Sequence, residues 1–392
     1  MNRHILDGYA PGAPASGTRH VCRPAAPRPA RPPGSTSTRS AGHSGRCWPR
    51  CATVTVRAAD LLPLAAGDQL ELVLRTPDGA RRELLVSARP AGPAPVTPPS
   101  AVPPPAVNAA GHGWAFSDAD HRTVVLRVER MHGYREDLEW RIHAGAADIA
   151  EPGTAPSAVA LLRDMVLAAR AAGSDHLVVD VRGNTGGNSM FGVFLGYFLH
   201  GPEPVRTLDE GYQVRRYSRL MLETYPAFGT VRPAGVEATG GYDFQHELAW
   251  RAGEATGTSP EEWAEIVAAM PSFAAEVEAG DLAGAWNPRV TVVTDSGTIS
   301  AAYDLTTLLW RLGARTVGVP PAQAGNCFTD LLLFSLPHSG IRVGVAYKIS
   351  LKFPDDPERG RLFRPDRELT YADLAAHGFD PHTALRVALD TR

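Results

Sequence analysis

The stretch VVTDSGTISAAYDL, residues 292–305, decides the fold class. Its β-branched apolar run stops at a polar, glycine-bearing turn, and helix-spaced apolar residues begin at once. Ile299, Ala302, Leu305, Leu308, Leu309 and Leu312 fall on one helical face, which predicts an inward-packing helix over residues 299–312. A strand that runs straight into a helix is half of a β-α-β unit, whose strands pair in parallel. Ser300 stands in the first helical turn, where the N–H of Ala301 lacks an intrahelical partner and the helix dipole favours an anion. A serine there ordinarily caps the helix. Asp295, Ser296 and Thr298 can take that duty instead, which frees the Ser300 hydroxyl for chemistry.

The same alternation extends to both sides. RTVVLRVERM reads as a strand, and SAVALLRDMVLAARAAG carries helix-spaced apolar residues up to a stop at Gly173. HLVVDV, residues 176–181, reads as a buried strand; the turn RGNTGGN and the apolar helix SMFGVFLGYFL follow it. RVTVVT and RTVGV are strands, and LLLFSLPHSGIRVGVAYKI is a hairpin that turns at residues 337–340. An insertion over about residues 208–286 contains one clear helix, whose start at Ser259 has the capping serine, first-turn proline and later glutamate of a capping box. Repeated β-α-β order predicts an α/β core with a largely parallel sheet.

The front of the chain differs. Residues 1–51 hold eight arginines against one acid, Asp7, with abundant Pro, Gly and Ser and no apolar period, and read as disordered or as a mis-assigned start. No continuous apolar h-region marks a signal peptide there. Residues 52–88 alternate apolar and polar side chains, with Asp78 and Gly79 as a hairpin turn. A Pro-rich linker spans residues 89–110, and the core runs over residues 111–392.

Composition narrows the function classes. The net charge of -3 gives no electrostatic reason to expect nucleic acid, and no apolar run is long enough for a membrane span. Lys348 and Lys352 are the only lysines, read as exposed charges on the hairpin. Cys47 and Cys51 lack a second ligand pair, so no metal site is read, and no feature calls for a cofactor.

VVDVRGNTGGN ends a strand in a turn whose backbone N–H groups can face negative charge. Its glycines lack the G-x-G-x-x-G order of a dinucleotide site, and no Gly-Lys-Ser/Thr follows to make a P-loop. A plain tight turn and an oxyanion hole both fit it.

Taken together, these two stretches resemble the C-terminal processing (tail-specific) serine peptidases, a family that includes the tricorn core protease. The resemblance rests on a D-x-R-x-N-x-G-G turn (Asp180, Arg182, Asn184, Gly186, Gly187), the strand–turn–serine–helix at Ser300, a strand like ARTVGVP, and a late RPDREL. It covers about residues 114–368 apart from the insertion. It implies a crotonase-like (ClpP/crotonase-type) α/β catalytic core, preceded by a partial PDZ-like β segment at residues 54–86. It also implies a peptidase acting on polypeptides without cofactor, and a secreted or periplasmic habit.

By that resemblance Ser300 is the nucleophile, with the amides of Gly186, Gly187 and Ala301 as oxyanion donors. Many members place a lysine base where this chain has Ala324 and Gly325, so that dyad is missing. The tricorn-like branch uses histidine and a carboxylate instead. Glu358 occupies the carboxylate position, with Asp355 and Asp356 as alternatives; His43, in AGHSG, and His132, in RMHGYRED, compete for the base. Two other readings remain: a catalytically silent peptide-binding protein on the same scaffold, and an acyl-thioester enzyme that uses the glycine turn without the serine.

Overall fold

The computed structural model describes residues 69–75, 81–87, 103–145, 149–209, 211–215, 218–224 and 257–390. The expectations for residues 1–51, His43 among them, lie outside the described residues. The chain divides into two units. The smaller holds β1 (Gln69–Arg75) and β2 (Arg81–Ser87), an antiparallel pair in which Arg75 is the register partner of Arg81; the expected Asp78–Gly79 turn lies outside the described residues.

The larger unit opens with β3 (His112–Phe116), β4 (Thr123–Val128), α1 (Arg135–His143), α2 (Ala158–Ala172), β5 (His176–Asp180) and α3 (Met190–His200). There follow α4 (Pro202–Thr207), β6 (Tyr212–Arg215), α5 (Arg219–Thr224), α6 (Pro260–Ala268), α7 (Pro271–Ala279) and β7 (Arg289–Thr294). The rest comprises α8 (Ala301–Arg311), β8 (Arg315–Gly318), β9 (Asn326–Ser335), β10 (Arg342–Leu351), α9 (Pro357–Arg361), β11 (Arg367–Glu368), α10 (Tyr371–Ala376) and α11 (Thr383–Asp390).

Six strands form one sheet in the order β11-β8-β7-β5-β4-β3, parallel except for β3. Both faces are covered, which is why these strands read as unbroken apolar runs. Val124, Leu126, Leu177, Val179 and Val292 face a large core completed by α2, α3 and α8. Val125, Val178, Val293 and Val317 face the other way, against Leu385 and Ala388 of α11. The helix signals behave as the chemistry demands. Ser157 caps α2 by accepting the Ala160 N–H, Gly173 ends it at φ 67, and the Ser259 capping box is present on α6. The described part of the insertion has more structure than the one expected helix: β6, α5 and α7 accompany α6, and Ile266, Met270 and Phe273 join the main core.

A second sheet, β6-β10-β9, is antiparallel and includes the expected hairpin. Here the lysine expectation fails. Lys348 and Lys352 are 3% and 5% exposed, because each meets a carboxylate from a different element: Asp330 at 2.5 Å and Asp304 at 3.0 Å. Among the described residues no helix is long and apolar enough to cross a membrane.

Candidate active site

Three adjacent parallel strands, β4, β5 and β7, end at one edge of the sheet, and their following loops carry the residues of interest. Ligands of open α/β sheets bind outside the carboxyl ends of the strands. After β7, Asp295 accepts the N–H groups of Gly297 and Gly183 at 2.8 Å each, and the Thr298 hydroxyl donates to the Val181 carbonyl. These side chains fasten the turn to the β5 loop and do not cap α8, contrary to expectation.

Ser300 then adopts φ 56, ψ -126, a left-handed conformation that L-residues seldom take. Its N–H donates to Gln323 Oε1 at 2.6 Å, its carbonyl accepts the Asp304 N–H, and its side chain makes no cap. The residue is half-buried, and its hydroxyl makes no hydrogen bond with a described residue. The strained elbow holds up a hydroxyl that no described residue binds.

The β5 loop lies directly against it. A Cβ at Gly186 (φ 98) would stand 2.6 Å from Ser300 Cβ and 2.9 Å from the Ala301 nitrogen. A Cβ at Gly187 (φ 140) would stand 2.2 Å from the Met131 carbonyl oxygen and 3.1 Å from the His132 nitrogen. Only glycines fit between the β7 loop and the β4 loop. Asn184, fully buried, organises the step: its Nδ2 donates to the Val128 carbonyl, its Oδ1 accepts the Gly186 N–H at 2.8 Å, and its carbonyl accepts the Ile299 N–H.

This geometry changes the expected donor set. The Gly186 N–H is already committed to Asn184, so it is not available to an oxyanion. The N–H groups of Gly187 and Ala301 have no acceptor among the described residues, and they flank the same glycine–serine contact.

Two buried ionic clusters brace the loops. Asp180 takes a bidentate bond from Arg182 and an ion pair from Arg127 at 3.0 Å. Burial opposes its ionisation, but the two arginines outweigh that and hold its carboxyl below the usual range. Arg182 also donates to the Pro381 carbonyl and meets His382 Nδ1. On the other side, Asp304 accepts the Ser189 hydroxyl at 2.9 Å and pairs with Lys352, which ties the starts of α3 and α8 to β10.

The other expected residues fare unevenly. His43 lies outside the described residues, while His132 is exposed in the loop that follows β4. Glu358 is exposed on α9 and pairs with Arg361, and no described contact links it to Ser300. Asp356 accepts the Arg359 N–H as the cap of α9, and Asp355 is exposed. At Gly325 a Cβ would stand 2.5 Å from the Phe353 ring, so the position has no room for a lysine.

Three residues went unseen in the sequence. Gln323 lies in the loop read only for its missing lysine. Asn188 and Asp137 bridge the β5 and β4 loops: Asn188 Nδ2 donates to Asp137 Oδ1 at 3.1 Å, and Asp137 Oδ2 accepts the Gly133 N–H at 2.8 Å. No set of three or more His, Cys, Asp or Glu among the described residues is placed to hold a metal ion.

A scan against protein-family models finds no match, and neither does a search among curated proteins. Solved structures do resemble the chain. One is described as an S41 protease from Bacteroides fragilis (13% identity, TM-score 0.39, 82% of this chain and 65% of that one). A second is mature CPAF in complex with lactacystin (16% identity, TM-score 0.41, 82% and 67%). A third is the photosystem II D1 C-terminal processing protease (16% identity, TM-score 0.29, 78% and 56%). The chain thus spans between about half and two thirds of the length of the proteins it resembles.

Proposed function

We propose that this chain is a serine-type endopeptidase that hydrolyses peptide bonds of polypeptides through an acyl-enzyme on Ser300. One observation carries the reading: Ser300 is held at φ 56, against a glycine step, where its hydroxyl and two backbone amides are unclaimed among the described residues. A connecting turn has no use for that arrangement. An acyl-transfer site does.

The steps follow from the atoms. The Ser300 hydroxyl gives its proton to an imidazole as Oγ bonds to the scissile carbonyl carbon. The carbonyl oxygen takes up the negative charge and accepts hydrogen bonds from the Gly187 and Ala301 N–H groups. Collapse breaks the C–N bond, and the imidazolium proton leaves with the amine. Water then repeats the sequence on the ester and restores the hydroxyl. Each preorganised donor of this type is worth about 3 kcal/mol, roughly 100-fold in rate. In the same reading the parallel sheet is the crotonase-like (ClpP/crotonase-type) core, and the β1–β2 hairpin is part of a PDZ-like segment.

Two measurements test it. Wild-type protein should cleave an unfolded polypeptide and react with a fluorophosphonate at Ser300. Ser300→Ala should do neither while keeping its circular dichroism and melting temperature. Equal turnover in that variant would remove Ser300 as nucleophile. A folded wild type that resists the fluorophosphonate would turn the reading toward a silent peptide binder.

A further inference from the structure

The base is the open part of this site, and the β4 loop speaks to it. Ser300 and the backbone of His132 lie against neighbouring glycines of the β5 loop. Gly186 meets Ser300, and Gly187 meets the His132 backbone nitrogen, so one Cα step of about 3.8 Å separates the two contacts. The Met131 carbonyl and the amide after Gly187 also pair, as in a short parallel bridge, which fixes the β4 loop to the β5 loop at that point. His132 is exposed, and an imidazole is the side chain whose proton affinity suits this transfer.

The second observation is a buried carboxylate on α1. Asp137 is fully buried. Its two oxygens are spent on the Gly133 N–H, next to His132, and on Asn188, next to Gly187. Burial raises its pKa, against the Gly133 and Asn188 bonds and the positive charges of Arg141 and His132. A carboxylate kept at that expense, and aimed at the two loops on either side of the nucleophile, fits a positioning duty.

Resting on the peptidase reading above, we infer that His132 is the general base of Ser300, and that Asp137 is the positioning residue that locks the His132 corner to the Gly186–Gly187 step. In the reaction His132 accepts the Ser300 Oγ proton as the new C–O bond forms, then delivers it to the departing amine nitrogen. Asp137 exchanges no proton and acts through the backbone it holds. The assignment moves the carboxylate role away from Glu358.

The test is the rate at which a fluorophosphonate labels Ser300 in the full-length chain, followed by intact-mass spectrometry. His132→Ala should slow labelling by about 100-fold or more at an unchanged melting temperature. Added imidazole should restore part of it, a rescue that a merely structural histidine would not give. Asp137→Asn keeps an acceptor for Gly133, and should slow labelling by about 10-fold with little change in the concentration of reagent at half-saturation. Labelling of His132→Ala at the wild-type rate would overturn the inference alone. So would its loss in His43→Ala with none in His132→Ala. A wild type that is not labelled at Ser300 would overturn the peptidase reading and this inference with it.

Discussion

At Ser300 the backbone itself is informative. A side chain at φ 56, ψ -126 is a conformation that glycine tolerates and other residues adopt at a cost of about 1–3 kcal/mol. Gln323 and the glycine step hold it there: the Ser300 N–H is fixed at 2.6 Å, and Gly186 leaves room for Cβ. Ser300→Ala keeps the strain, because it keeps Cβ. Ser300→Gly removes the strain, although it also loosens the unfolded chain. Urea unfolding should therefore find Ser300→Gly more stable than Ser300→Ala by about 1 kcal/mol, with both inactive. A glycine variant less stable than the alanine variant would mean that the elbow is relaxed and that its shape owes nothing to presentation of a hydroxyl.

The starts of α3 and α8 are joined by one chain of polar atoms, Ser189 to Asp304 to Lys352. Lys352→Met keeps the volume and leaves Asp304 half-buried without its cation. Removing one partner of a fully buried pair costs about 3–5 kcal/mol, and the partial exposure of Asp304 should keep this loss below that range. Adding Asp304→Asn to Lys352→Met should recover most of that loss, because no charge is left stranded. A double-mutant cycle with no coupling between the two positions would show that the pair contributes nothing to the junction. This junction also marks where sequence reading ends. The periods of α2, α8, β5 and β7 were plain, because one face of each helix and both faces of each strand are apolar. The caps at Ser157, Gly173 and Ser259 were plain for the same local reason. Helix α1 was missed, since it turns Glu136 and Asp137 inward toward Ser157, Ala158 and Asn188, and charged residues read as surface. The lysines were misplaced because their partners come from Asp330 and Asp304, contacts set by folding. Likewise, the turn DVRGNTGG announced a set of donors, but which glycine keeps its N–H free depends on where the Asn184 side chain points.

At the scale of the larger unit, pH should act through a residue outside the catalytic proposal. His112 on β3 is 1% exposed, with its ring 4.6 Å from Phe191 and 5.4 Å from Tyr134 between centroids. Its Nε2 bonds the Arg130 carbonyl at 2.9 Å. Burial dominates, with the Arg130 and His132 charges adding to it and the Arg130 carbonyl opposing, so its pKa is held down to about 4. The unfolded chain binds that proton near the usual value of about 6.5. A depressed pKa in the folded state means that stability is intact above about 6.5 and falls as pH drops toward about 4, by roughly 3 kcal/mol in all. Glu136 and Asp137 work in the opposite direction, since burial raises both and their ionisation weakens the fold as pH rises. Asp180, held low, adds a loss only when pH falls below the ordinary carboxylate range. The His112 contribution is isolated by comparing His112→Phe with wild type. Phenylalanine keeps the ring contacts and gives up the bond to Arg130 equally at every pH. Urea unfolding at about pH 7 and about pH 5 should show wild type losing about 2 kcal/mol more than the variant over that interval. Parallel losses in the two proteins would mean that the imidazole is charged or hydrated in the folded state, and the sealed environment assigned to β3 would have to be withdrawn.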